Sequence, residues 1–157
     1  NKVLFQDDST APFGFDLMDE YDPTTSTFTA NQDGVYVVSA SVAFTPNAPV
    51  VPEDFAVAVA VRLNGTTIVT EDNEFVPASF FTNGVYVTVD TSTILQLNEG
   101  DTLDVVFVTN VNGNIQPVPS ATHFEVARVP SPRMNIVSSQ IVGQSVKFAK
   151  STPLKQN

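Results

Sequence analysis

The chain has few of the residue types that carry enzyme and cofactor chemistry. It contains no cysteine and no tryptophan, and His123 is its one histidine. Without cysteine there is no disulfide framework and no thiolate nucleophile, and zinc would lack the several His or Cys ligands that it needs. A Ser-His-Asp triad would have to use His123, which falls in an expected strand of a chain without a Gly-x-Ser-x-Gly turn. We therefore predict a non-enzymatic protein that uses no cofactor.

Charge is also scarce, and most of it is negative. Only 15% of the residues are charged, with seven basic and seventeen acidic side chains and a formal net charge of −10. Lys and Arg supply most of the affinity for nucleic acids and for anionic membrane surfaces, so we expect neither partner. No run approaches the roughly 20 apolar residues of a membrane helix, so no membrane insertion is expected. Asn1 is interpreted as a processed or trimmed terminus.

The dominant hydrophobic period is two residues, which indicates strands rather than helices. Across residues 54–63, bulky side chains at every second position alternate with three alanines. This pattern predicts a strand that is buried on one face and tightly covered on the other. Pro, Gly and Asn interrupt the chain at short intervals, as in β-sandwiches and barrels. The expected strands lie near residues 12–18, 26–30, 34–45, 54–63, 66–70, 84–89, 93–97, 102–109 and 122–129.

Several segments are predicted to be turns and loops. Asn64-Gly65 predicts a two-residue hairpin with a type I′ turn, and we interpret the glycosylation sequon that it begins as a turn signal first. Residues 98–101 predict a second turn, and residues 46–52 and 110–119 predict surface loops.

Carboxylates cluster at Asp7-Asp8, at Asp19-Glu20 with Asp22, and at Glu71-Asp72 with Glu74. Calcium takes six to eight oxygen ligands, which such segments can supply, although no EF-hand spacing is present. We interpret these clusters first as solvated loop charge. Calcium stays open as the one candidate metal, and no metal ligand is assigned.

Composition changes near residue 129. Residues 1–129 hold three basic and all seventeen acidic residues, for a net charge of −14, whereas residues 130–157 carry +4. We therefore divide the chain into a domain at 1–129 and a basic C-terminal tail at 130–157, which is either a docking strand or a disordered segment. The candidate anchor residues of the tail are Arg133, Lys147, Phe148 and Lys150.

The spacing of Asp16, Tyr21, Phe28, Gly34 and Tyr36 resembles the signature of the complement C1q globular head, a branch of the tumour-necrosis-factor-like jelly rolls. The Asn64-Gly65 hairpin, the element at 95–103 and the strand near 122–126 are similar to later parts of that family. Thr10 and Val38 stand where the family has Phe, and Glu125 stands where a small residue is usual. The resemblance covers roughly residues 12–129 and leaves out the collagen-like stalk and the tail.

This resemblance implies an all-β fold: an antiparallel jelly-roll β-sandwich of about 8–10 strands that forms a compact homotrimer. In the family, aromatic side chains of the inner sheet pack around a threefold axis. The alternative from the residues themselves is that they fill the core of one chain. The candidate trimer-interface or core residues are Tyr21, Phe28, Tyr36, Val38, Phe107 and Phe124.

The functional expectation is a trimeric structural or recognition head that binds a partner protein or a glycan. We expect it outside the cell, as a phage fibre or decoration protein or in a bacterial surface layer, so on a cell, a spore or a virion. One alternative is a monomeric carbohydrate-binding β-sandwich that uses Tyr86 and the loops at 46–53 and 110–119. A further alternative is a viral capsid jelly roll with a purely structural role.

Overall fold

The computed structural model describes residues 1–5, 16, 18–47, 54–80 and 85–130. These residues form β-strands and one short 3₁₀ turn at Ala78–Phe80. The strands are β1 (Tyr21–Asp22), β2 (Thr27–Thr29), β3 (Gly34–Pro46), β4 (Phe55–Leu63), β5 (Thr67–Val76), β6 (Val87–Leu97), β7 (Thr102–Thr109), β8 (Gly113–Ile115) and β9 (His123–Arg128).

The strands form two antiparallel sheets. The first has the order β1-β2-β7-β4-β5, and we call it the five-stranded sheet. In the second, β3 pairs with β6 along one edge and with β9 and then β8 along the other, and we call it the β3 sheet. The chain passes between the sheets after β2, β3, β5, β6 and β7. This two-sheet, all-antiparallel topology is that of the expected jelly-roll sandwich.

The core lies between the sheets because the strands alternate their side chains at period two. From β3, Tyr36, Val38 and Val42 point inward, and from β4 so do Phe55 and Val59; all are fully buried. Aromatic rings join the two layers. Phe28 meets Tyr36 edge-on with ring centroids 5.8 Å apart.

The β4–β5 turn has the predicted chemistry. Asn64 and Gly65 have φ angles of 52° and 70°, as the two central residues of a type I′ turn require. The Asn64 amide also donates to the Asp101 carboxylate at 2.9 Å, while its oxygen accepts from the Thr102 amide at 2.9 Å. The β4–β5 turn is therefore hydrogen-bonded to the neighbouring β6–β7 turn.

Four details differ from the sequence expectations. The predicted strands 84–89 and 93–97 form one continuous strand, β6, because β3 offers an uninterrupted partner from Gly34 to Phe44. The predicted strand 66–70 continues to Val76 along β4, so the carboxylates of Glu71, Asp72 and Glu74 lie on a strand and not in a loop. The predicted loop 110–119 contains β8, and Tyr21–Asp22 forms a short strand.

Other expectations fall outside the described residues. These are most of the predicted strand at 12–18, most of the loop at 46–52, the Asp7-Asp8 pair and the tail with Arg133, Lys147, Phe148 and Lys150. The domain boundary at residue 130 stays a prediction. Within the described ranges, no helix is long and apolar enough to cross a membrane.

Candidate self-association face

The outer face of the β3 sheet is set by the same alternation that builds the core. Because Tyr36 and Val38 point inward, Val35, Val37 and Ser39 point away from the sandwich. The strand register places these residues in rows across the sheet. The row Ile94–Val37–Ala127 crosses β6, β3 and β9, and the row Gln96–Val35–Val129 lies beside it. The backbone N–H of Val129 donates to the Val35 carbonyl at 2.8 Å, which extends the pairing beyond β9.

Apart from Gln96, these two rows form an exposed apolar strip, which we define as Val35, Val37, Ile94, Ala127 and Val129. Val35 and Val37 are each 42% exposed although they lie on the central strand, and Ile94 is 68% exposed. Scattered exposed apolar side chains are ordinary on protein surfaces, whereas a contiguous group of them is a candidate for an interaction site. The strip runs across three paired strands, so hydrogen bonds between the strands hold its backbone in place.

The opposite end of the same face is polar. The next rows are Ser92–Ser39–Glu125 and Asp90–Ser41–His123. Ser41 is buried, and its hydroxyl donates to the carbonyl of Ala121 in the loop after β8. The face therefore has an apolar strip at one end and two carboxylates with the one histidine at the other.

The sequence-predicted interface residues lie in or against the core of the single chain. Phe28, Tyr36, Val38 and Phe107 are buried, and Tyr21 and Phe124 pack against the core cluster while remaining partly exposed. Tyr36 also donates its hydroxyl to the Gln32 carbonyl at 2.8 Å. Burial, together with the nearby Glu20 carboxylate, raises the pKa of Tyr36. These residues pack the two sheets together, and the residues that alternate with Tyr36 and Val38 along β3 form the exposed surface.

We did not predict the apolar strip from the sequence, because the family motif contains the aromatic positions and not the residues between them. The signal was present in the sequence, since a strand of alternating large residues on both faces, such as residues 35–38, indicates that both faces meet apolar surroundings. Ile94 was likewise inside an expected strand, but no partner strand could be assigned to it from sequence.

The outer face of the five-stranded sheet has a second, smaller apolar area. On β4, Ala56 lies opposite Phe75 of β5, and Ala58 lies between Asn73 of β5 and Val108 of β7. The sequence predicted that the alanines of this strand are tightly covered. Ala60 is buried, as predicted, whereas Ala56 is exposed and Phe75 beside it is 65% exposed.

An ionic cluster on this second face fixes the N-terminal segment. Asp104 accepts two hydrogen bonds from the Arg62 guanidinium at 2.8 Å each and lies 3.2 Å from the Lys2 ammonium. Burial raises the pKa of Asp104, but the hydrogen bonds and charges of Arg62 and Lys2 outweigh it, so the net pKa lies below the ordinary 3.8. The cluster joins residues 1–5 to β7, beside the antiparallel bridge between Lys2 and Val106.

The carboxylates around β1 accept hydrogen bonds from nearby residues. Asp22 accepts hydrogen bonds from both Thr24 and Thr25, and these bonds lower the pKa of its carboxyl. Glu20 accepts from the Asn31 amide, and Asp16 accepts from the amides of Met18 and Tyr21. Among the described residues, no group of three or more His, Cys, Asp or Glu side chains could hold a metal ion.

The described features of the alternative glycan site meet at one end of the β3 sheet, where the Asn47 backbone N–H donates to the Asn112 carbonyl at 2.9 Å and Val87, the residue after Tyr86, pairs with Phe44. Tyr86 is exposed just before β6. In the loop at 110–119, residues 113–115 pair with β3, and the Gln116 amide donates to the Ala43 carbonyl. The loop at 46–53 falls largely outside the described residues.

No protein-family model matches the chain, and no curated protein matches it. Among solved structures, the chain is similar to the crystal structure of murine APRIL at pH 5.0. The TM-score is 0.46 with 14% sequence identity, over 66% of this chain and 72% of that chain. The fold assignment rests on the strand order and pairing described above.

Proposed function

We propose that the chain is a non-enzymatic head that assembles as a homotrimer through the outer face of the β3 sheet. The observation that carries this proposal is the apolar strip, whose central members Val35 and Val37 stay exposed on the middle strand. Burying such a strip against a second copy removes apolar surface from water at roughly 25 cal/mol per Å². Closed cyclic symmetry is the usual arrangement of homo-oligomers, and it would bury the strip of every copy.

The C1q-like spacing supports the same proposal from the sequence side. Tyr21 and Phe28 are directly paired across β1 and β2, and Gly34 begins β3. The Arg128 side chain lies over Gly34, with its Nε atom 2.5 Å from where a Cβ would be, so a larger residue at this position would require Arg128 to move. The motif thus positions β3 against β9, and that pairing creates the outer face. In this proposal the chain is a C1q- and tumour-necrosis-factor-like head.

The assembled head would present its second sheet and its loops to a partner protein or a glycan. We place it outside the cell, on a cell or spore surface or on a virion. The low content of charge fits a protein whose surfaces pack within a larger assembly. The basic tail at 130–157 is proposed as the part that attaches the head to an acidic neighbour, because the described region has few cations of its own.

The absence of cysteine makes a direct test of the face possible. In an Ile94→Cys variant, a three-armed maleimide reagent should link three chains, because the introduced thiols lie around the proposed axis. The matched control is Asn73→Cys, which places an exposed thiol on the other sheet, on β5. The expected result is a three-chain product from Ile94→Cys and single-chain adducts from Asn73→Cys. Single-chain adducts from both variants would overturn the proposal.

A further inference from the structure

We propose that assembly through the β3 sheet is regulated by pH, through Asp90, Glu125 and His123 at the polar end of the face. This inference rests on the proposed function, because it concerns the same surface. Asp90 and His123 share the row that crosses Ser41, and Glu125 lies in the next row, opposite Ser39. Glu125 and His123 are two residues apart on one strand, so their side chains leave the same face about 7 Å apart.

Symmetry determines what these groups meet on assembly. In the proposed trimer the threefold axis runs parallel to β3, and rotation about it leaves the height of every residue along the axis unchanged. Each row therefore lies level with the same row of the other copies. The apolar strip meets apolar strips, and the polar end meets polar ends. Two carboxylates from each copy are then brought toward the axis, together with one imidazole.

No other charge in the described region balances these carboxylates. Arg62 and Lys2 bind Asp104 on the outer face of the other sheet. Arg128 packs over Gly34 at the apolar end and donates to the Asp33 carbonyl. The neighbouring positions Ser39, Ser92 and Thr88 are neutral, and the loop at 116–122 that contacts Ser41 contains no charged residue. His123 is therefore the one group on this face that becomes cationic as the pH falls.

The carboxylates and the imidazole change the association constant in the same direction as the pH falls. Ionised carboxylates from different copies repel one another, so assembly favours their protonated forms. Protonated His123 attracts the carboxylates, so assembly also favours its cation. Assembly therefore takes up protons, and the association constant rises as pH falls. Carboxyl and imidazole groups ordinarily titrate between about pH 4 and 6.5, and each proton taken up changes the constant about tenfold per pH unit.

The test is sedimentation velocity of the full chain over a dilution series at pH 7.5 and pH 5.5. We expect at least about tenfold tighter association at pH 5.5, which corresponds to an average uptake of about half a proton on association over these two pH units. The Asp90→Asn/Glu125→Gln variant should associate more tightly at pH 7.5 and lose most of the pH dependence. His123→Gln should also reduce the pH dependence, because it removes the imidazole that shares this end of the face with Asp90 and Glu125.

The matched control is Glu71→Gln/Asp72→Asn, which removes two negative charges from β5 and none from the face. It should keep the pH dependence of the original chain, and circular dichroism should show that every variant remains folded at both pH values. Equal pH dependence in the Asp90→Asn/Glu125→Gln variant and this control would overturn the inference while leaving the face intact. Absence of association at either pH in every variant would instead overturn the proposed trimer.

Discussion

Val37 of β3 and Ile94 of β6 lie directly opposite each other on the outer face of the β3 sheet, and both are exposed. Their immediate neighbours Tyr36 and Leu95 are also paired but face inward, where Tyr36 is fully buried. One pair of strands thus contributes an apolar surface to the core and a second apolar surface to the outside. The first stabilises the chain, and the second is available for assembly.

Core and surface phenylalanines should differ sharply in their contribution to stability. Phe28 is buried against Tyr36, so Phe28→Ala should lower the free energy of unfolding by about 3–5 kcal/mol. Phe75 is exposed on the other sheet, so Phe75→Ala should change it by no more than about 0.5 kcal/mol. Urea titrations at one protein concentration measure both values. Equal losses would show that the interior is not arranged around Phe28.

The ionic cluster of Asp104 should make stability fall in acid. The folded state holds the pKa of Asp104 below its ordinary 3.8, so its stabilisation is complete above that value and is lost as pH falls through the lowered value. Asp104→Asn should reduce stability by about 1–3 kcal/mol at neutral pH, because Arg62 and Lys2 lose a charged acceptor. The difference between the original chain and this variant should shrink toward zero as pH falls well below 3.8, where Asp104 becomes protonated in the folded state as well.

Thermal unfolding at a series of pH values tests this prediction. Asp101→Asn is the useful comparison, since hydrogen bonds from Asn64 and from the Asn98 backbone lower the pKa of Asp101 in an exposed turn. Its effect should be smaller than that of Asp104→Asn at neutral pH. A difference for Asp104→Asn that stays constant down to pH 2 would contradict the account of the cluster.

The contact between Gly34 and Arg128 can be isolated by a double-mutant cycle. Gly34→Ala alone should destabilise the chain by about 1 kcal/mol, because Arg128 must move and its hydrogen bond to the Asp33 carbonyl is lost. In an Arg128→Ala background, Gly34→Ala should become neutral or stabilising, because alanine restricts the unfolded chain more than glycine does. Additive effects in the cycle would mean that the two residues do not interact.

The Asn64 side chain should matter beyond the shape of its turn. Asn64→Gly keeps the positive φ accessible but removes the bonds to Asp101 and Thr102, so a loss of about 1–2 kcal/mol is expected. Asn64→Ala should lose more, because alanine also opposes the positive φ. Chemical denaturation of the two variants measures the order. A smaller loss in Asn64→Ala than in Asn64→Gly would contradict this assignment.

Much of the sandwich could be predicted from the sequence because the strands alternate clearly. The strand at 34–45, the buried positions of 54–63 and the Asn64-Gly65 turn follow from period-two patterning and turn chemistry, both of which are local. The strand pairing is not local. The continuity of β6 and the pairing of β8 depend on β3, far away in the chain, and the extension of β5 depends on the full length of β4; the local pattern specifies neither.

The outer face of the β3 sheet also could not be predicted from local sequence patterns. Tyr36 attracts attention because it belongs to a recognisable motif, whereas Val35 and Val37 are ordinary strand residues. They form a surface only because the register places Ile94 on one side and Ala127 on the other. The carboxylates of Asp90 and Glu125 are 35 residues apart in sequence, yet they lie on the same face for this reason.

The mass in solution tests the trimer most directly, measured by light scattering over a dilution series for the original chain and for Val37→Lys. The original chain should show about three times its 16.9 kDa mass. Val37→Lys should be a folded single chain, because a buried unpaired charge at an interface disfavours assembly while the exposed side of β3 tolerates lysine in the monomer. A single-chain mass for the original protein at all concentrations and at both pH 5.5 and 7.5, or an unchanged trimer in Val37→Lys, would contradict the account.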